Sequence, residues 1–142
     1  MDTFVRRGET YTENALHLKS YFNAAVINAY IGGDGAVGMH ADDEHLFNAT
    51  SQPATIASVS LGETRSFVVQ NNISRETLAI DSRSGDLLTM DGLFQATHRH
   101  GVPKSRSSQG IRYNITFRRI VNHDHQCATS TSSSSFSETP VA

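Results

Sequence analysis

Three side chains of the types that bind transition metals stand out in the sequence. His40 and Asp42 form an H-x-D step. In a β-strand, residues i and i+2 point to the same face, so both side chains could reach one ion. A third ligand would come from a later histidine, His98 or His100, which share one face of a predicted strand. Two imidazoles and one carboxylate, with the other coordination positions open, are typical of non-haem Fe(II) oxygenases.

The H-x-D step also has a simpler interpretation. The chain contains seven histidines, and Asp42 is followed directly by Asp43 and Glu44. Short motifs of this kind arise by chance, and the segment equally fits an acidic surface turn. The metal hypothesis therefore depends on a second feature.

That second feature is an alternation of polar and apolar residues near the end of the predicted core. The polar positions are Arg112, Asn114, Thr116 and Arg118, and the apolar positions between them are Tyr113, Ile115 and Phe117. The period of two predicts a strand whose apolar face packs on a hydrophobic core. If the polar row faces the interior of a barrel, its two guanidiniums require anions, and a small dicarboxylate such as 2-oxoglutarate would satisfy them. The alternative is an exposed edge strand with its polar face in water.

The elements that would position these residues are mostly short strands separated by turns. Strands are predicted at 24–30, 37–40, 55–61, 64–70, 78–80, 86–90, 95–102 and 111–120. This spacing indicates an all-β core folded as a double-stranded β-helix, or jelly roll. A short N-terminal helix is predicted at 12–22, with Thr12 as its N-cap. The Ser/Thr-rich composition of 128–142 predicts disorder, so we expect one domain at 1–122, with a catalytic core at 23–120, and a disordered tail at 123–142.

Composition limits the classes of protein that the chain can belong to. At 142 residues with a net charge of −2, it fits one domain and lacks the broad basic field of non-specific nucleic-acid binders. One cysteine excludes an intrachain disulfide. No apolar run approaches the roughly 20 residues that span a bilayer, and residues 1–11 lack the apolar region of a signal peptide. We expect a soluble intracellular monomer without a membrane partner, in the cytoplasm or nucleus.

A series of sequence blocks, taken in order, resembles a known family. The blocks are Asn28-x-Tyr30, His40-x-Asp42-Asp43-Glu44, Ile56 to Gly62 with Arg65 and Phe67, Gly85-Asp86 to Met90, Gln95 to Lys104 with His100, and Arg112-x-Asn114-x-Thr116-Phe117-Arg118. They are similar to the AlkB family of nucleic-acid dealkylating dioxygenases and look closest to its eukaryotic DNA/RNA repair branch. The resemblance covers about residues 22–120.

The resemblance implies a role for each matched residue. Fe(II) would be bound by His40, Asp42 and His100, and His100 is favoured over His98 because the family has its ligand histidine directly before the x-Val-Pro-Lys step. The co-substrate 2-oxoglutarate would be bound by Asn28, Tyr30, Arg112, Asn114 and Arg118. Arg112 would pair with the distal carboxylate, and Arg118 would lie toward the metal-side carboxylate and Asp42. The substrate base would be contacted by Asp43 and Glu44, with Arg65 and Gln95 near the same pocket.

The function implied by the resemblance is oxidative demethylation of N-alkylated bases in DNA or RNA. The reaction consumes O₂ and 2-oxoglutarate and releases formaldehyde, succinate and CO₂. Because a base in a duplex must first leave its stack, single strands are the expected substrate. About 22 residues precede the first matched block, so most of the family's N-terminal recognition lid is expected to be absent from this sequence. That fits either a compact enzyme for single-stranded RNA or DNA or a fragment of a longer protein. Two alternatives remain: a hydroxylase of a protein or small molecule on the same scaffold, and a catalytically silent jelly-roll binding module.

Overall fold

Short strands account for most of the regular structure in the computed structural model, which describes residues 5–8 and 22–122. The elements are β1 (Val5–Gly8), β2 (Ala24–Ile31), β3 (Val37–His40), β4 (Ile56–Gly62), β5 (Arg65–Asn71), β6 (Thr77–Ser82), β7 (Leu87–Met90), α1 (Phe94–Thr97), β8 (His98–Val102) and β9 (Ile111–Arg118). Within the described part of the chain, no helix has the length and hydropathy that crossing a bilayer requires.

The strands form two antiparallel sheets. One sheet has five strands in the order β1-β7-β4-β9-β2, and the other has four in the order β3-β8-β5-β6. Strands distant in the chain are therefore neighbours in space, as in a jelly roll. The predicted all-β jelly-roll core is confirmed. The predicted helix at 12–22, apart from Phe22, and the predicted tail at 123–142 lie outside the described residues, and the domain boundary at 122 stays a prediction.

One strand prediction is wrong over its first residues. Residues 95–97 belong to the helical turn α1, and β8 begins only at His98. The turn is held by the Thr97 hydroxyl, which donates to the Leu93 carbonyl at 2.9 Å. It buries the side chains of Phe94 and Gln95, so tertiary contacts determine the local structure here.

The hydrophobic core lies between the two sheets. Both sheets contribute to it, and its buried members are Tyr30, Ile56, Phe67, Val69, Leu88, Met90, Phe94 and Val102. Removing a large apolar side chain from water stabilises a fold by roughly 1.5–3 kcal/mol. Buried polar side chains occupy the rest of the space between the sheets.

The polar row of β9 faces the interior. Arg112 is 1% exposed, whereas Ile111 and Tyr113 on the opposite face are each 44% exposed. The expectation that the apolar face of this strand packs on the core is therefore wrong. The reason is that β4 presents Ser58 and Ser60 to the same interior, where their hydroxyls hydrogen-bond to inner side chains of β9.

Truncation of a core side chain tests this placement of the core. Leu88→Ala should lower the free energy of unfolding by about 2–5 kcal/mol, because Leu88 is 1% exposed and its loss leaves a cavity. Leu78→Ala is the matched control, since Leu78 is 57% exposed and should cost less than about 1 kcal/mol. Urea unfolding followed by circular dichroism measures both. Equal losses in the two variants would contradict the described packing.

Candidate active site

His40 and His100 are brought together by strand pairing. They are direct partners across the antiparallel pair β3–β8. Opposed residues in such a pair have their side chains on the same face and close together, and the two imidazole centroids lie 4.4 Å apart. Strand pairing thus places two imidazole rings side by side, although their residues are far apart in the chain.

Asp42 completes a cluster with these two histidines. Its Oδ1 lies 3.8 Å from Nε2 of His40, and its Oδ2 lies 3.8 Å from Nε2 of His100. One ligand atom from each of the three residues lies within 4.8 Å of the others. Donor atoms bonded to one ion at roughly 2.1 Å are about 3 Å apart when adjacent, so small side-chain rotations would allow all three to bind one cation.

Asp42 reaches the cluster by a different route from the one expected. Strand β3 ends at His40, so Asp42 does not follow the alternation of a strand. Its backbone N–H donates to Oε1 of Gln95 at 2.9 Å. Gln95 is itself buried and therefore fixes the segment that carries the carboxylate.

Both histidines turn Nε2 toward Asp42. Nδ1 of His40 lies 2.9 Å from the Gly38 carbonyl; a carbonyl only accepts, so Nδ1 is the donor in this contact. Burial, together with the positive charges of His40 and Arg118, lowers the pKa of His100 to about 3. The ring of His100 is therefore neutral near pH 7, the form in which imidazole binds metals.

The carboxylate of Asp42 is under opposing influences. Burial raises its pKa above the usual value, and the guanidinium of Arg118 and the ring of His40 offset this rise only in part. Nη2 of Arg118 donates to Oδ1 at 2.6 Å. No residue in the described ranges donates a hydrogen bond to Oδ2, and a buried oxygen without a partner is costly. A cation between Oδ2 and the two Nε2 atoms would supply the missing interaction, so the donor set fits the family of metal sites with two histidines and one carboxylate.

A cavity of about 290 Å³ joins this cluster to the inner face of the five-stranded sheet. Its lining contains all the residues predicted to bind iron or 2-oxoglutarate, namely His40, Asp42 and His100 together with Asn28, Tyr30, Arg112, Asn114 and Arg118. The structure therefore brings these residues together around one space, at the small end of the range for ligand pockets.

Arg112 presents unpaired donors beside this cavity. Its Nη2 donates to Ser60 Oγ at 2.8 Å and to Asn114 Oδ1 at 2.9 Å. Its Nε and Nη1 are buried without a hydrogen-bond partner in residues 22–122. Burial lowers the pKa of Arg112, Tyr30 opposes that shift, and the charge of Arg65 adds to it. These unpaired N–H groups leave a buried guanidinium able to donate charge-assisted hydrogen bonds to an anion in the cavity.

The four residues predicted to contact substrate fall into two groups. Asp43 and Glu44 are exposed directly after Asp42, and their charges raise its pKa slightly beyond the effect of burial. Arg65 and Gln95 are buried and do not line the cavity. Gln95 contacts the backbone of Asp42 instead, and Arg65 donates to backbone carbonyls, so no described contact supports a substrate role for this second group.

His98, the competing ligand, lies outside the cluster. Its ring stacks on Phe94 at a centroid distance of 5.0 Å. Its ring nitrogens lie near Asn71 Nδ2 and Thr97 Oγ1, at 3.2 and 2.8 Å. Of the two histidines on this strand, only His100 belongs to the group that could hold a metal ion.

Two residues of the site, Ser58 and Ser60, were missed by sequence reasoning. Ser58 Oγ donates to Asn114 Oδ1 at 2.6 Å, and Ser60 Oγ accepts from Arg112. Asn114 Nδ2 in turn donates to Thr116 Oγ1 at 2.8 Å. The signal was the recurrence of small polar residues at alternate positions of β4, which matches the polar alternation of β9.

The comparisons with known proteins agree with this geometry. Residues 1–118 match the 2OG-Fe(II) oxygenase superfamily. The chain is 31% identical over 125 residues to DNA oxidative demethylase ALKBH2 of Arabidopsis thaliana, covering 72% of this chain and 39% of the relative. It is 33% identical over 119 residues to alpha-ketoglutarate-dependent dioxygenase alkB homolog 3 of Mus musculus, covering 76% of this chain and 39% of the relative.

A solved structure shares the architecture. The structure of OsALKBH1 superposes with a TM-score of 0.55 at 25% sequence identity, covering 67% of this chain and 47% of that chain. The chain spans about two fifths of the length of the two curated relatives, since 39% of each is covered. Because the family match extends over most of its length, the chain belongs to the 2OG-Fe(II) oxygenase superfamily, within which it is AlkB-like.

Proposed function

We propose that this chain is an Fe(II)- and 2-oxoglutarate-dependent dioxygenase that demethylates N-alkylated bases in DNA or RNA. The observation that carries the proposal is the shared cavity, which is lined by His40 and His100, by Asp42 with an unpartnered oxygen and by Arg112 with unpartnered donors. When bound, iron with O₂ and 2-oxoglutarate supplies the oxidising chemistry that converts an N-methyl group to N–H and formaldehyde, leaving succinate and CO₂.

At the metal end, His40, Asp42 and His100 are the iron ligands. The Gly38 carbonyl orients the ring of His40 by accepting a hydrogen bond from its Nδ1–H. Arg118 lowers the pKa of Asp42 against the larger raising effect of burial and occupies only Oδ1, which leaves Oδ2 for the cation. The hydrogen bond from Arg118 to Oδ1 thus orients the Asp42 carboxylate so that Oδ2 faces the metal position.

At the co-substrate end, Arg112 binds the distal carboxylate of 2-oxoglutarate through its unpaired Nη1 donors. Ser60 and Asn114 hold Nη2 and so orient the guanidinium. Asn28 and Tyr30 line the same cavity, and Arg118 reaches toward the metal-side carboxylate. Held charges and donors of this kind position a co-substrate before reaction.

The nucleic-acid substrate is proposed from the relatives, because ALKBH2 of Arabidopsis thaliana is named a DNA oxidative demethylase. Asp43 and Glu44 are exposed beside Asp42 and offer acceptors for an exocyclic amine or a cationic alkylated base. Single strands are the preferred substrate, since extruding a base from a duplex costs a few kcal/mol. We further propose a monomer that acts in the cytoplasm or nucleus, with its catalytic core at 23–120.

Metal titration tests the ligand assignment. The chain should bind one Mn(II), used as a redox-stable substitute for Fe(II), and His100→Ala should weaken binding by at least about 100-fold, because loss of an outer-shell partner alone costs 10–100-fold. His98→Ala is the matched control on the same strand and should bind normally. Electron paramagnetic resonance of free Mn(II) gives both affinities. Weak binding by His98→Ala with normal binding by His100→Ala would reverse the assignment.

Formaldehyde release tests the reaction. With Fe(II), ascorbate and 2-oxoglutarate, the chain should release formaldehyde from single-stranded DNA or RNA oligomers that carry 1-methyladenine or 3-methylcytosine, with one succinate formed for each formaldehyde. Asp42→Ala should abolish both products. Succinate that forms without any formaldehyde from these oligomers would instead favour a hydroxylase of another substrate class, and no succinate from a folded, metal-loaded sample would favour a silent binding module.

A further inference from the structure

Arg65 is a buried cation that the proposed reaction does not use. Its side chain is on β5, and the residue is 2% exposed. The guanidinium donates to three backbone carbonyls: Nη1 to Gly32 at 2.9 Å, and Nη2 to Gly35 at 2.8 Å and to Pro103 at 2.7 Å. It is buried and is not among the residues that line the cavity, so it would not touch a ligand bound there.

The three carbonyls belong to the two segments that lead to the site. Gly32 and Gly35 lie in the connection between β2, which carries Tyr30, and β3, which carries His40. Pro103 directly follows β8, which carries His100. One guanidinium therefore ties the β2–β3 connection, which passes from one sheet to the other, to the end of the strand that holds a histidine of the cluster.

Arg65 also adds positive charge around Tyr30. Its guanidinium carbon lies 6.0 Å from the centre of the Tyr30 ring, and that of Arg112 lies 5.2 Å from the same centre. Within residues 22–122, no carboxylate forms an ion pair with either arginine. The Tyr30 part of the cavity is thus bordered by two buried cations without a paired protein anion, one that touches the cavity and one behind it.

We propose that Arg65 is a positioning residue for the dicarboxylate end of the site, which holds Tyr30 and the β2–β3 connection in place and attracts the co-substrate through its charge without touching it. This inference rests on the function proposed above. A unit charge at roughly 8 Å in an environment of effective dielectric constant about 20 changes affinity on the order of 10-fold. The main effect of Arg65 is therefore on 2-oxoglutarate binding, and its effect on metal binding is small.

Calorimetric titration separates these effects in the full chain. Mn(II) is titrated first, and 2-oxoglutarate is then titrated into the Mn(II)-loaded protein. Arg65→Met should raise the Kd for 2-oxoglutarate about 10-fold or more and change the Kd for Mn(II) by less than about 3-fold. Arg65→Lys keeps the charge and three donors, and should recover most of the lost affinity. Arg83→Met, at an exposed position, is the control and should match the unaltered chain.

If Arg65→Met does not fold, the lysine variant decides. A 10-fold loss of Mn(II) affinity in folded Arg65→Lys would show a general structural role for Arg65 and would overturn the inference. Unchanged 2-oxoglutarate affinity in a folded Arg65→Met protein would overturn it as well, while leaving the proposed function intact. Failure of the unaltered chain to bind 2-oxoglutarate with Mn(II) would overturn both.

Discussion

Buried positive charge is the constraint on which the rest of this structure depends. Asp42 is the one buried carboxylate among residues 22–122, whereas Arg65 and Arg112 are both at most 2% exposed. Arg118 already pairs with Asp42. Charges removed from water must be paired or otherwise compensated, and the described residues do not supply enough anions. The jelly roll therefore has an interior suited to an acidic small molecule, which a purely structural core would not need.

The two ends of the site are linked by shared elements. Arg112 and Arg118 lie on the same face of β9, so the period of this one strand sets the spacing between the dicarboxylate end and the metal end. At the metal end, the two carboxylate oxygens of Asp42 lie beside Arg118 and His100 respectively. The polar contacts between β4 and β9 hold this arrangement, which explains why serines occupy buried strand positions that apolar residues would otherwise fill.

The sequence predicted the site better than it predicted the packing. The ordered motifs named the eight cavity-lining residues proposed to bind iron or 2-oxoglutarate but missed Ser58 and Ser60. The choice of His100 over His98 came from the resemblance, since both share one face of a strand. Alternation in β9 indicated a strand and left open which face is inside, because periodicity carries no information on sheet pairing. Gln95 and Arg65 were expected near substrate, and their backbone contacts with Asp42 and Pro103 depend on tertiary neighbours that no local pattern encodes.

A crystal structure of the full chain grown without oxygen in the presence of Mn(II) and 2-oxoglutarate is the most direct measurement of the central claim. We expect one ion bonded at about 2.2 Å to His40, Asp42 and His100, with a carboxylate of the ligand about 3 Å from Nη1 of Arg112. An ion bound elsewhere, or an Arg112 guanidinium paired with a carboxylate of the protein itself, would contradict it.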